Sequence, residues 1–378
     1  MHRALVLAAR ARAETYPNPL VGAVVVDQTE ILGEGYHHRA GEPHAEVLAL
    51  QQAGAKARRK ALYVTLEPCN HTGRSPPCTE AILASGVAEV HVAVLDPNPE
   101  VAGHGVARLR QAGLHVVVGE AGAQAFALNR PYFCWARYRR PLVVLKSAMS
   151  LDGKVATATG QSKYLTHANA LAYAHEQRRR SDAILVGVGT VLQDDPALTY
   201  RGRRRGLDPV RIILDSHGRT PPNARMLHSQ SPAPTLIFTG TEAPATWERE
   251  MLSAGAEVVR LPLQAARLPL DAVLRELGSR RRQRLLVEGG PTVHAAFVRQ
   301  GLADEWLGLM APLLLGASGL SAVGDLNVST LAEGPRLVIR RLLTLGEDVL
   351  LEADFAASEA IRLPPHLMEA APALPDRG

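Results

Sequence analysis

Short apolar runs rich in valine recur along the first third of the chain, at Leu20–Asp27, Ala61–Glu67, Glu89–Asp96 and Leu114–Glu120. Such runs are strand-sized and dense in β-branched residues, so each predicts a strand. Between them, Ala45–Ala53, Thr79–Ser85 and Val106–Gln111 carry helical patterns. Strands that alternate with helices predict a layered α/β domain. The opening "MHRALVLAARARAE" has an apolar run from Ala4 to Ala9, cut off by Arg10, and predicts an amphipathic first helix rather than a signal peptide.

The pattern breaks near Asn129–Pro141. "NRPYFCWARYRRP" is aromatic, basic and bounded by prolines, which predicts a domain junction. Alternation then resumes through "PLVVLKSAMSLDGK", "SDAILVGVGTVL", "PVRIILDS", "PTLIFTG", "RLLVEGGPTVHAAF" and "EWLGLMAPLLLG". The expected organisation is one domain over 1–140, a second over 141–360, and a loose Pro- and Ala-rich tail over 361–378.

Composition narrows the class. A length of 378 residues exceeds what one core usually supports. No apolar run reaches the roughly 18 residues a membrane span needs. Three cysteines do not make a disulfide scaffold, so a reducing, cytoplasmic setting is expected. The formal charge of +5 is compatible with nucleic acid, with phosphorylated small molecules, or with solubility alone. Aromatic residues are only 4%, which leaves little material for stacking on bases. The clusters Arg201–Gly206 and Arg280–Arg284 read as solvated surface.

The sharpest chemistry lies in "GEPHAEVLAL" and "EPCNHTGRSPPC". His44-x-Glu46 at a helix start, then Pro68–Cys69 and Cys78, follows the order of the zinc-deaminase signature, with a longer gap between the cysteines. One imidazole and two thiolates supply three zinc ligands and leave a fourth position for water, as in catalytic sites. Glu46 is then the proton shuttle. A structural zinc with His71 as fourth ligand is the alternative, and each residue alone has a bland reading as surface or core. Cys134, on the aromatic stretch, reads as packing.

In the second half, "RLLVEGGPTVHAAF" reads as strand, Gly-Gly turn and helix, with Pro291 at the first helical position. Such a turn lets backbone amides approach a phosphate. It is not Gly-x-Gly-x-x-Gly, so a Rossmann assignment does not follow. "ILVGVGTVLQDDPAL" places Thr190 and Asp194 to meet a cofactor sugar or amide, or else makes a tight turn at Asp194–Asp195–Pro196.

Taken together, "YPNPLVGAVVV", "GEGYHHRAGEPHAEVLAL", "VTLEPCNHTGRSPPC" and "DPNPEVAGHGVARLRQAG" resemble the deaminase half of the bifunctional riboflavin-biosynthesis deaminase/reductase family. "KSAMSLDGKVAT", "VGVGTVLQDDPALT", "RIILDS" and "VEGGPTVHAAF" resemble its reductase half. The resemblance runs from about Ala4 to Asp354. It implies an N-terminal cytidine-deaminase-like α/β/α domain followed by a dihydrofolate-reductase-like α/β domain. It further implies zinc-dependent deamination of a diaminopyrimidinone ribosylamine phosphate, then NADPH-dependent reduction of the ribosyl chain to ribityl.

By the same resemblance, His44, Cys69 and Cys78 bind zinc, and Asn18, His37, His71 and Arg74 contact the deaminase substrate. Ala148, Tyr164, Thr190, Asp194, Ser216 and the turn Gly290, Pro291, Thr292, Val293, His294, Ala295 and Ala296 contact NADPH. Ser162, Arg178, Leu198, Arg201 and Glu288 contact the second substrate; any arginine of Arg178–Arg180 is placed to face inward. The expected partners are phosphorylated pyrimidines, with neither nucleic acid nor membrane, and a homo-oligomer formed through the reductase half. Two rival readings are a nucleic-acid or nucleoside deaminase, and a zinc-stabilised nucleotide sensor without turnover.

Overall fold

A computed structural model describes residues 1–378 apart from 12, 72–75, 163–164, 203–205 and 369–378. It divides into two compact units, Met1–Tyr138 with Ile361–Gly378, and Arg139–Ala360.

In the first unit the chain runs α1 (His2–Ala8), β1 (Gly22–Asp27), β2 (Glu30–Tyr36), α2 (Ala45–Ala53), β3 (Ala61–Val64), α3 (Cys78–Ser85), β4 (Glu89–Val92), α4 (His104–Gln111), β5 (His115–Val118) and α5 (Gly122–Tyr138). The strands form one sheet in the order β2-β1-β3-β4-β5. The β1 strand is antiparallel to β2 and β3, while β3, β4 and β5 are parallel. Parallel neighbours need crossover connections, and α3 and α4 supply them. Val25, Leu62, Val64, Val90 and Val92 meet Ala45, Ala49, Ala53, Ile82 and Leu109 in one buried cluster.

The strand β2 was not expected, because "EILGEGY" has two glycines where a strand pattern wants side chains. Those glycines have a packing reason. A Cβ at Gly35 would lie 2.6 Å from both Ala45 O and Leu48 Cβ, and one at Gly33 would collide with Ala49 O. Helix α2 therefore lies directly on the β2 backbone, with its small residues Ala45, Ala49 and Ala53 buried.

The boundary between the units falls at Tyr138–Arg139, inside the stretch read as a junction, but that stretch is not extended chain: it continues α5, with a kink at Asn129 before Pro131. A proline there removes an intrahelical hydrogen bond without ending the helix. Tyr132, Phe133 and Cys134 are buried in the first unit. Nor is 361–378 a loose tail throughout. Leu367 is buried beside Leu66, Val94 and Phe126, and Leu95 N–H donates to Leu367 O at 3.1 Å. Residues 369–378 lie outside the described chain.

The second unit runs β6 (Leu142–Ser150), β7 (Lys154–Ala156), α6 (Ala168–Arg179), β8 (Ala183–Gly187), α7 (Val188–Asp194), β9 (Val210–Leu214), β10 (Thr235–Gly240), α8 (Ala245–Ser253) and β11 (Ala256–Leu261). It continues with α9 (Leu270–Ser279), β12 (Arg284–Val287), α10 (Pro291–Arg299), β13 (Glu305–Ala311), β14 (Leu320–Ser321), β15 (Leu337–Leu345) and β16 (Asp348–Phe355). A nine-stranded sheet is ordered β11-β10-β9-β8-β12-β6-β13-β16-β15, and β7 pairs with β14. The sheet is parallel as far as β13, and β16 and β15 close it antiparallel. Leu185, Ile212, Phe238, Leu285 and Val287 are fully or almost fully buried, as strands covered on both faces must be.

The Arg280–Arg284 cluster also departs from the solvated reading. Arg280 pairs with Glu276 and Glu257 at the surface. Arg284, on β12, is buried and donates to Ser181 Oγ (2.6 Å) and Gln177 Oε1 (2.9 Å). In the other cluster, Arg203–Arg205 lie outside the described residues.

Gly35→Ala forces α2 off β2. Overpacking of this kind costs about 1–3 kcal/mol. Thermal unfolding of the variant is expected to show a lower transition for the first unit and an unchanged one for the second.

Candidate active sites

Two helix starts build the first site. His44 is the N-cap residue of α2, Glu46 lies in its first turn, and Cys78 is the first residue of α3. Cys69 sits in the loop after β3, and Thr79 N–H donates to its carbonyl at 3.2 Å. Thr79 Oγ1 donates to Asn70 Oδ1 at 2.8 Å.

His44 Nδ1 lies 3.1 Å from Cys78 Sγ and 3.6 Å from Cys69 Sγ. The three ligand atoms all fall within 4.8 Å of one another. The Cys78 N–H, at the N-terminus of α3, donates to Cys69 Sγ at 3.4 Å. Hydrogen bonding from Cys78, helped by His44 and opposed by burial, pulls the Cys69 thiol down to about 4. The same pairing and burial push the Cys78 thiol up. A divalent cation held between the two sulfurs favours the thiolate form of each. One imidazole and two sulfurs in a largely buried cluster fit zinc. His71 is exposed and is not in the cluster, so among the described residues no fourth protein ligand joins the three.

Glu46 is buried, and burial raises its carboxyl while the His44 charge opposes. His37 is also buried. Its Nδ1 faces Pro43 O at 3.2 Å and its Nε2 faces Asn18 Nδ2 at 3.0 Å. Donation of Nδ1–H to the carbonyl leaves Nε2 to accept from Asn18. Desolvation lowers the His37 pKa and keeps the ring neutral. Its ring meets the His44 ring edge-on at 5.3 Å, so Asn18 and His37 border the cluster. Arg74 lies outside the described residues.

In the second unit Glu288 and Gly290 directly follow β12 and Thr190 follows β8, at the carboxyl ends where open α/β sheets bind ligands. Gly290 caps α10 with Pro291 at its first position. A Cβ on Gly290 would meet Thr190 Oγ1 at 3.5 Å, which brings the α7 threonine to the turn. Gly289 has φ +112 and open space where a Cβ would stand, so the turn presents bare backbone. Val293 packs on the core and Ala295 is buried. The His294 ring is buried too, with Nδ1 3.1 Å from Ala322 O and Nε2 3.3 Å from Val287 O. Its imidazole thus serves the core.

Arg178 is the arginine of its run that faces Glu288. It donates Nε–H to Oε1 (2.9 Å), Nη2–H to Oε2 (2.7 Å) and Nη1–H to Thr199 O (2.9 Å). Arg179 and Arg180 pair with Glu176 instead. Burial raises the Glu288 carboxyl, but Arg178 and Lys146 outweigh it and hold it at about 2. Burial, with the charges of Arg178 and Arg201, drops His175 to about 4. The neutral ring accepts the Arg201 N–H on Nδ1 at 3.3 Å.

Leu198 is buried with φ +51. Asp194 ends α7, is exposed, and takes a long 3.5 Å hydrogen bond from Ser162 Oγ. Ser216 follows β9, and its carbonyl accepts Gly240 N–H at 3.1 Å. Ala148 lies on β6 against a separate small cluster with Leu309 and Leu350. Tyr164 lies outside the described residues. Sequence reasoning missed Lys146 and His175. Lys146 stands in the apolar run of β6, and its charge acts on Glu288, His175 and His294.

A metal-binding α/β unit followed by a parallel-sheet unit with a glycine turn defines a two-site enzyme. The comparisons agree. The "cytidine and deoxycytidylate deaminase zinc-binding region" matches residues 1–94, and the "RibD C-terminal domain" matches residues 141–351. The riboflavin biosynthesis protein RibD of Aquifex aeolicus is 43% identical over 351 residues, which cover 93% of this chain and 96% of the relative. RibD of Acinetobacter baumannii superposes with a TM-score of 0.84 at 36% identity, covering 94% of this chain and 97% of that one. The Thermotoga maritima diaminohydroxyphosphoribosylaminopyrimidine deaminase/5-amino-6-(5-phosphoribosylamino)uracil reductase gives 0.82 at 34%, with the same two coverages. The chain belongs to the RibD family of riboflavin biosynthesis, and is a bifunctional deaminase and reductase.

The Arg178–Glu288 pair makes a pH-dependent prediction. Glu288 sits at about 2 when folded, below the ordinary value near 4.3. Its contribution to stability is present above about pH 4 and is lost as pH falls towards 2. Arg178→Met removes the partner of a buried charge, a loss of about 3–5 kcal/mol at neutral pH. Urea unfolding of the second unit is expected to show that loss at pH 7 and a progressively smaller one as pH is lowered from 4 to 2.

Proposed function

We propose that this chain carries out two successive steps on phosphorylated pyrimidines: hydrolytic removal of an amino group in the first unit, and NADPH-dependent reduction of the ribosyl chain to ribityl in the second. The substrates are those after which the Thermotoga maritima relative is named. The observation that carries the reading is the convergence of His44 Nδ1, Cys69 Sγ and Cys78 Sγ beside buried Glu46. A binding protein needs no such carboxylate.

His44, Cys69 and Cys78 would hold the zinc, which when bound supplies a Lewis acid that lowers the pKa of water towards neutrality. Glu46 accepts a proton from the attacking water on a carboxylate oxygen. It passes that proton to the ring nitrogen, then takes the second proton from the newly added hydroxyl and hands it to the departing amine, so water and amine become carbonyl and ammonia. Its raised pKa suits both directions of transfer. Asn18 and the neutral His37 border the pocket and orient the pyrimidine, joined by His71 and Arg74 from the loop between the cysteines.

In the second unit the Gly289–Gly290 turn and the α10 N-terminus suit a dinucleotide phosphate. NADPH, when bound there, supplies a hydride. Thr190, Asp194, Ser216, Gly290 and the α10 residues Pro291–Ala296 hold it, together with Ala148 and Tyr164. Ser162, Leu198, Arg201, Glu288 and Arg178 face the sugar phosphate, and Arg201 supplies a cation not engaged by Glu288. The three cysteines form no disulfide and no described helix is long and apolar enough to cross a membrane, which suits a cytoplasmic enzyme.

The test is an assay of ammonia release followed by NADPH oxidation on the diaminopyrimidinone phosphate. Glu46→Gln is expected to abolish ammonia release with zinc still bound, and to leave reduction of the supplied uracil intact. Unimpaired ammonia release by that variant would rule out the shuttle role.

The same reading includes a homo-oligomer through the second unit. The edge strand β15 exposes Leu337, Val338, Ile339 and Leu342. An unpaired apolar edge is a template for another strand, and an antiparallel edge can pair with its own copy about a two-fold axis. Ile339→Lys is expected to shift the sedimenting species from dimer to monomer at equal concentration.

A further inference from the structure

Glu67 lies two residues before Cys69, is buried, and has no cationic partner among the described residues. Its carboxylate instead accepts backbone hydrogen bonds from one segment. Oε2 takes Asp96 N–H (3.2 Å) and Gly103 N–H (2.9 Å), and Oε1 takes Gly105 N–H (2.9 Å) and Val106 N–H (3.1 Å). Two of these donors belong to the first turn of α4, whose N–H groups have no intrahelical partner. Gly105 adds a second tie: a Cβ there would collide with the Pro68 carbonyl and approach Glu67 Oε1 to 3.2 Å. The α4 terminus therefore grips the peptide immediately before Cys69. From the opposite side, Thr79 N–H of α3 holds the Cys69 carbonyl.

We propose that Glu67, with Gly105, is a positioning residue for the metal site: it fixes the backbone that presents the Cys69 sulfur to His44 and Cys78. A cap acting on α4 alone would stabilise the fold and leave metal affinity untouched. Here the acceptor is on the metal loop itself, so the two effects are tied. The inference rests on the zinc reading above.

Glu67→Gln keeps the shape but turns an NH2 group towards backbone donors. Gly105→Ala leaves the carboxylate and pushes on Pro68. Zinc affinity, measured on the full chain by chelator competition, is expected to fall by about 10–100-fold in each. The thiolate-to-metal absorption band of the cobalt-substituted protein is expected to shift, while NADPH oxidation in the second unit stays at the wild-type rate. Variants with wild-type zinc affinity and cobalt spectrum, whose metal-free melting temperature alone is lowered, overturn the proposal. If Glu67→Gln does not fold, Gly105→Ala decides by the same two readouts. A wild-type chain that binds no zinc would overturn the deaminase reading, and this proposal with it.

Discussion

The first unit depends on how closely α2 lies on β2. Side chains at Gly33 and Gly35 would hold the helix away from the sheet. With hydrogen there, Ala45 and Ala49 settle onto strand backbone, and His44 and Glu46 at the helix start are carried to a fixed height above the sheet. Cys78 arrives by a similar route, at the first residue of α3. Two helix starts pointing at one spot concentrate N–H groups and positive dipole ends there. The low Cys69 pKa comes first from the Cys78 side chain, helped by His44 and by the Cys78 N–H at the start of α3.

The two units handle buried charge in opposite ways. The first brings together groups whose pKa values are spread apart, a lowered Cys69 against a raised Cys78 and a raised Glu46. The second locks its charges. Glu288 is held ionised by the bidentate Arg178 and by Lys146, and His175 is held neutral by burial and two arginines. Such a network holds each group in one protonation state.

Much of this was legible because the informative residues were few and ordered. His44, Glu46, Cys69 and Cys78 form a pattern whose chemistry is specific, and the chain folds them together. The valine runs marked β1, β3, β4 and β5 because buried strands are nearly continuous apolar stretches. What escaped had a competing physical cause. Gly33 and Gly35 hid β2, since close packing removed the side chains that would have signalled it. Pro131 suggested a break where α5 only kinks. Arg284 was hidden in a basic run although Ser181 and Gln177 satisfy it in the interior. Lys146 was camouflaged by its apolar neighbours. Leu363 and Leu367 carried too little apolar density among prolines to announce a docked segment.

That docked segment has a consequence for how the molecule is made. Residues 361–368 complete the cluster around Leu66 and Phe126, yet residues 139–360 between them and α5 build a separate unit. In topological terms the second unit is an insertion into the first. Synthesis proceeds from the N-terminus and domains tend to fold as they emerge. Residues 361–368 are made after the whole inserted unit, so the cluster around Leu66 and Phe126 is completed only once that unit has been synthesised.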